Sequence, residues 1–151
     1  MTQSTKNIEQ SDSGDGSILI FPWAYSAIAQ GTWAFATTDT IAYNGYFYNT
    51  SNAQGDQLNF KVWLSKGTYG VTVKVYDGAS RCFLSLLYES NHISMHDAYG
   101  SGYQRRVTFP HPIGVSTSGL KTISLKCGPG RNNSSTGWTI PLLQMRVTRA
   151  I

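Results

Sequence analysis

The chain has no acidic residue after Asp97, no apolar run long enough to cross a bilayer, and few charges of either sign. Each lack excludes something. A membrane-spanning helix needs about 18 or more consecutive apolar residues, so none is expected. Charged residues make up 13% of the chain, against about a quarter in ordinary globular domains. Gly, Ser, Thr, Asn and Tyr fill the deficit, a composition that suits turns and strands better than helices. The first 17 residues, MTQSTKNIEQSDSGDGS, lack the apolar stretch of a secretory signal. They imply a protein that acts inside a cell or leaves it by a route such as lysis.

Cysteine is also scarce. Cys82 and Cys127 both fall in apolar-periodic segments and read as buried free thiols acting as small hydrophobes. Their spacing alone does not imply a disulfide, and no zinc-binding pattern is present. At 151 residues the chain is one domain in size and can bury a core without covalent staples.

What is present is alternation. In Leu58–Leu87 the residues Leu58, Phe60, Val62 and Leu64 are apolar and alternate with Asn59, Lys61 and Trp63. After Ser65-Lys66-Gly67 the pattern resumes with Tyr69, Val71, Val73 and Val75. Neighbouring side chains of a strand face opposite ways, so a period of two predicts half-buried strands. Asp77-Gly78 is a favoured hairpin dipeptide, and a third strand begins near Cys82, which predicts a β-meander.

Elsewhere, residues 1–17 read as a flexible polar arm and residues 18–151 as the folded domain. Pro22 places Ile18–Trp23 at an edge strand or its end. Ala24–Ala36 holds passable helix formers but too much Gly and Thr for a long helix. Ile41–Tyr48 is a hairpin candidate around Asn44-Gly45. Ile93–Tyr103 reads as irregular, Arg106–Phe109 and Leu120–Cys127 as strands, and Gly128–Gly137 as a turn-rich loop. The last strand runs from Trp138 to Val147 with a bulge near Pro141-Leu142-Leu143. About eight short strands with Gly, Asn and Pro punctuation predict an all-β antiparallel β-sandwich of jelly-roll type.

A search for chemistry finds no catalytic residues. The domain's few carboxylates, Asp39, Asp56, Asp77, Glu89 and Asp97, form no marked pair such as glycoside cleavage needs. Asp56 and Asp77 read as turn residues. His92 and His96 lie four apart on a strand or loop, about 13 Å, too far to share one metal ion. There is no nucleophile elbow and no phosphate loop, so no cofactor and no metal are expected.

After Asp97 the charged residues are Arg105, Arg106, Lys121, Lys126, Arg131, Arg146 and Arg149. They could meet an acidic partner or stand as solvated outward positions; dense Lys/Arg runs of the nucleic-acid-binding kind are absent, which argues against direct nucleic-acid binding. The aromatic and amide residues Tyr43, Asn44, Tyr46, Tyr48, Trp63, Arg131, Asn132 and Trp138 are the binding candidates. Flat rings stack on sugars and amides bond hydroxyls, but the same residues serve protein interfaces and sandwich cores. Trp63 stands out, since alternation sets it opposite Phe60 and Val62.

The segments GDQLNFKVWLSKGTYGVTVKVYDGASRCFLSLLYES (55–90) and SGLKTISLKCGPGRNNSSTGWTIPLLQMRV (118–147) resemble the turn glycines and alternating strands of carbohydrate-binding-module-like jelly rolls found in tailed-phage virion proteins. Leu120-Lys121 and Gly128-Pro129-Gly130-Arg131-Asn132 depart from that group's usual closing motif. The resemblance implies a jelly roll and a virion setting, with no site. It favours a non-enzymatic capsid decoration or cement protein, bound to the major capsid protein or other virion proteins through its arm and often trimeric. The alternative is a glycan-binding module for host adsorption.

Overall fold

The computed structural model describes residues 17–36 and 46–150. Among these, twelve strands form two antiparallel sheets facing each other. The five-stranded sheet runs β2 (Ala27–Gln30), β5 (Gln57–Leu64), β11 (Gly119–Cys127), β7 (Phe83–Tyr88) and β8 (Asn91–Asp97). In the other sheet β6 (Gly67–Tyr76) and β12 (Leu142–Arg149) pair at the centre. β9 (Gln104–Thr108) and β10 (Ile113–Val115) flank β6, while β1 (Ser17–Ile20) and β4 (Tyr46–Asn49) flank β12. β3 (Trp33–Ala36) pairs with β4 at the far edge. No helix among the described residues is long and apolar enough to cross a membrane.

The alternation expected of the strands holds residue by residue. Leu58, Phe60, Val62 and Leu64 of β5 and Tyr69, Val71, Val73 and Val75 of β6 all point into the core, at 1% exposure or less. Ile123, Leu125 and Cys127 of β11, Leu84 and Leu86 of β7, and Met145 and Val147 of β12 complete the same core. The jelly-roll sandwich is confirmed, with twelve strands among the described residues instead of about eight.

The meander is not. β5 pairs with β2 and β11, whereas β6 pairs with β9, β10 and β12. Ser65-Lys66 therefore carries the chain from one sheet to the other. Asp77-Gly78 likewise is no hairpin: it begins the crossing back to β7. A short turn and matched alternation fit a hairpin and a sheet-to-sheet arch equally, because both keep one face of each strand inward.

Three further expectations change. The segment Ile93–Tyr103, read as irregular, contains most of β8. Tyr46–Asn49 pairs with Trp33–Ala36; the rest of the hairpin expected over Ile41–Tyr48 lies outside the described residues. The last strand starts at Leu142 rather than Trp138, although the expected bulge is present as a register shift between Leu142 and Gln144. Cys82 and Cys127 are not free thiols but form a disulfide, with Cα atoms 5.9 Å apart. Pro22 sits in a single 3-10 turn just past β1, as its position at a strand end predicted. The proposed arm lies outside the described residues except Ser17, which opens β1.

Candidate functional site

Strand direction gathers one set of connections at one end of the sandwich. There the turn at Gly31-Thr32 meets the loops 50–56, 77–82, 98–103 and 128–141. Buried carboxylates organise this end. Asp56, 1% exposed, accepts hydrogen bonds from Asn49 Nδ2 (2.7 Å), Ser51 Oγ (2.7 Å) and Ala53 N (3.0 Å). Asn49 extends the node by donating to the Trp138 carbonyl and accepting from Ile140 N. Gly31, with φ +91°, lies against the Asp56 carboxylate, where a Cβ would collide; only glycine suits both the conformation and the space. Asp77 Oδ1 accepts from Gly102 N and Tyr103 N, and its other oxygen lies 3.4 Å from Arg105 Nε. Asp97 takes Tyr99 N and Asn132 Nδ2.

These carboxylates are committed to loop backbone and side chains. Among the described residues no three His, Cys, Asp or Glu side chains come together to hold a metal. His96 lies under the same end, its pKa lowered from 6.5 by burial and by the Arg105 guanidinium, against the opposing pull of Asp97. Its partner in the sequence motif, His92, is exposed on the same strand. Several of the late cations are structural too. Arg105 donates to the Asp97 carbonyl, and Arg149 donates to the Lys66 carbonyl and to Ser65 Oγ.

The binding candidates read from the sequence divide into three places. Tyr43 and Asn44 lie outside the described residues. Tyr46 and Tyr48 point outward from β4 in edge contact at 5.5 Å, and Tyr46 also meets Tyr76 at 5.5 Å. Arg81 stacks over Tyr76. The rings are tilted against one another, so they form no flat platform. Arg131 and Trp138 meet in the loop end, the guanidinium 4.7 Å from the ring centre. The indole is packed against the core beneath and covered by Arg131 above. Asn132 is spent on Asp97 and on Ser134 N. All three residues have structural contacts within the loop end.

Trp63 is different. It stands on the outer face of the five-stranded sheet, 44% exposed, beside its cross-strand partner Leu120 at 43%. Further pairs continue along the same two strands: Lys61 with Thr122, Asn59 with the buried Ser124, Gln57 with Lys126. Asn59 Oδ1 accepts from Ser124 Oγ (2.7 Å) and Gln57 Nε2 (2.9 Å), which orients the Asn59 amide. The result is an exposed aromatic plane at the head of a row of amide, hydroxyl and ammonium groups. Sequence alternation located Trp63; the row beside it was hidden, because β11 lies more than fifty residues further along the chain.

No family model matches the chain, and no curated protein matches it in sequence. Solved structures do. The chain superposes with a TM-score of 0.69 at 12% identity on a CBM36 domain of a multidomain xylanase from the hindgut metagenome of Trinervitermes trinervoides, covering 89% of this chain and 98% of that one. The chain has the jelly-roll fold of carbohydrate-binding modules. A family 35 carbohydrate-binding module from Clostridium thermocellum matches at TM-score 0.65 and 12% identity, over 89% and 98% of the two chains. A Podospora anserina mannanase carrying a CBM35 module matches at TM-score 0.67 and 13% identity, over 91% of this chain but only 28% of the enzyme.

Proposed function

We propose that the domain is a non-catalytic glycan-binding module whose sugar-contacting surface is the outer face of β5 and β11, headed by Trp63. The observation that carries this reading is the exposed Trp63–Leu120 pair beside the polar row Lys61, Asn59 and Thr122. An exposed indole offers an apolar plane to the C–H face of a pyranose, and the amide, hydroxyl and ammonium groups beside it can meet ring hydroxyls. Catalysis has no comparable support, since the buried carboxylates Asp56 and Asp77 and the half-buried Asp97 are occupied by loop donors. The fold shared with these carbohydrate-binding modules supports the same assignment.

The test is affinity electrophoresis and calorimetry against a panel of plant and bacterial polysaccharides. Trp63→Ala should weaken binding at least about tenfold, a loss of about 1.4 kcal/mol, while Trp138→Ala acts mainly on stability. Binding that survives Trp63→Ala unchanged moves the site elsewhere, and no binding to any polysaccharide refutes the reading.

The virion setting, with the chain attached to a capsid through residues 1–17, is a separate proposal that rests on the sequence resemblance. Mass spectrometry of purified particles should find the chain, and deletion of residues 1–17 should release it. Its absence from particles rejects the setting without touching the glycan assignment.

A further inference from the structure

The lateral edge of the sandwich where β2 and β3 end the two sheets is chemically unlike the rest of the surface. From Ser17 to Ala36 the sequence has no charged residue, in a chain whose net charge is +4. Among the described residues β2 pairs only with β5, and β3 only with β4, so no described strand covers the far side of either. Neither strand carries the lysine, proline or inward charge with which monomeric sheets guard an edge.

The side chains between these two edges are apolar and half open. Gln30 and Trp33 meet at the corner joining the strands, through Trp33 Nε1 and the Gln30 carbonyl. Ile28 and Phe35 each lie two residues from that corner, so they sit at the same height on opposing sheets. Their cross-strand partners, Leu58 and Phe47, are buried, yet Ile28 stays 38% and Phe35 41% exposed. Trp23 packs edge-on to Phe35 at 5.1 Å and stacks on Phe21 at 4.9 Å, and both are also exposed by about two-fifths. Four large apolar side chains half exposed side by side suit a contact surface.

The occupant follows from what the flank lacks. Its polar side chains are already used: Ser26 Oγ accepts from Lys61 N, Gln30 Nε2 donates to the Gln54 carbonyl, and Thr32 and Thr50 hydroxyls bond each other. A sugar would find few groups for its hydroxyls, and an acidic or basic partner no countercharge. A second copy of this chain, by contrast, carries like charge elsewhere, so the uncharged flank is where two copies can approach without repulsion. It also offers what an open edge needs, a matching open strand edge and matching rings. We propose that this flank is a two-fold contact between two copies of the chain, with β2 and β3 of each packed on the same elements of the other.

Analytical ultracentrifugation of the full chain tests this. A reversible dimer is expected by about 100 µM, and Ile28→Lys should weaken it at least tenfold while Trp63→Ala leaves it unchanged. Circular dichroism establishes that each variant is folded, and Phe35→Ser replaces Ile28→Lys if the latter is not. A chain that stays monomeric throughout, or an assembly indifferent to the folded edge variant, overturns the proposal. Either result leaves the polysaccharide test of Trp63 intact.

Discussion

Opening the Cys82–Cys127 disulfide should cost the fold about 4 kcal/mol. The bond closes a loop across 45 positions of sequence, and in the chain-entropy account a cross-link of that span removes about this much freedom from the unfolded state. It also joins two places that backbone hydrogen bonds already bring together. Phe83 N donates to the Gly130 carbonyl, and Gly128 N to the Phe83 carbonyl, so the start of β7 and the end of β11 hold each other with or without the sulfurs. Loss of the bond should therefore lower stability without rearranging the sandwich. Urea unfolding of the oxidised protein, and again in the presence of a strong reductant, measures the difference. Thiol titration in denaturant should find no free thiol before reduction and two after. Equal midpoints in the two states, or thiols that titrate at once, would refute the cross-link's role.

Asp56→Ala should be of similar severity, at about 3 kcal/mol or more. The substitution strands three donors that meet one carboxylate oxygen: the Asn49 amide, the Ser51 hydroxyl and the Ala53 N–H. Each buried donor left without an acceptor costs about 1–3 kcal/mol, partly relieved at Ser51, which is exposed and can turn to water. Asn49 is fully buried, so its loss is the hard one, and through Asn49 the damage reaches Trp138 and Ile140 in another loop. Asp56→Asn discriminates hydrogen bonding from charge. Its amide oxygen can take the place of the accepting carboxylate oxygen, so it should recover most of the lost stability. If Asn is as destabilising as Ala, the negative charge itself carries the node. If Ala is nearly neutral in thermal and chemical unfolding, Asp56 is only the turn residue that its place in the sequence suggests.

Asp56 also shows where sequence reading stops. Standing before an alternating run, it reads as an ordinary turn residue, and nothing local shows that Asn49 and the loop after β11 converge on it. Trp138, Arg131 and Asn132 show the opposite case. Their residue types suit sugar binding, yet the fold spends the first two on each other and the third on Asp97. Trp63 was legible because a period of two assigns its face without knowledge of any partner strand. The same limit explains the meander: alternation reports which side of a strand is dry, and a turn reports that the chain reverses, but neither says which sheet receives the next strand.

The sequence by itself determined that this chain is an antiparallel sandwich, which residues line its core, where the late bulge falls, and that Trp63 faces outward. Those follow from local sterics and from the transfer of apolar side chains out of water, which act on each strand separately. Only the tertiary structure decided the strand partners, the disulfide, the buried carboxylate nodes, the polar row beside Trp63 and the uncharged open edge. Each joins residues distant in sequence, and such pairings are chosen by the packing of the whole core rather than by any one segment. Trp63 takes on a candidate role in this way, because the chain returns as β11 and sets Leu120 and Thr122 beside it.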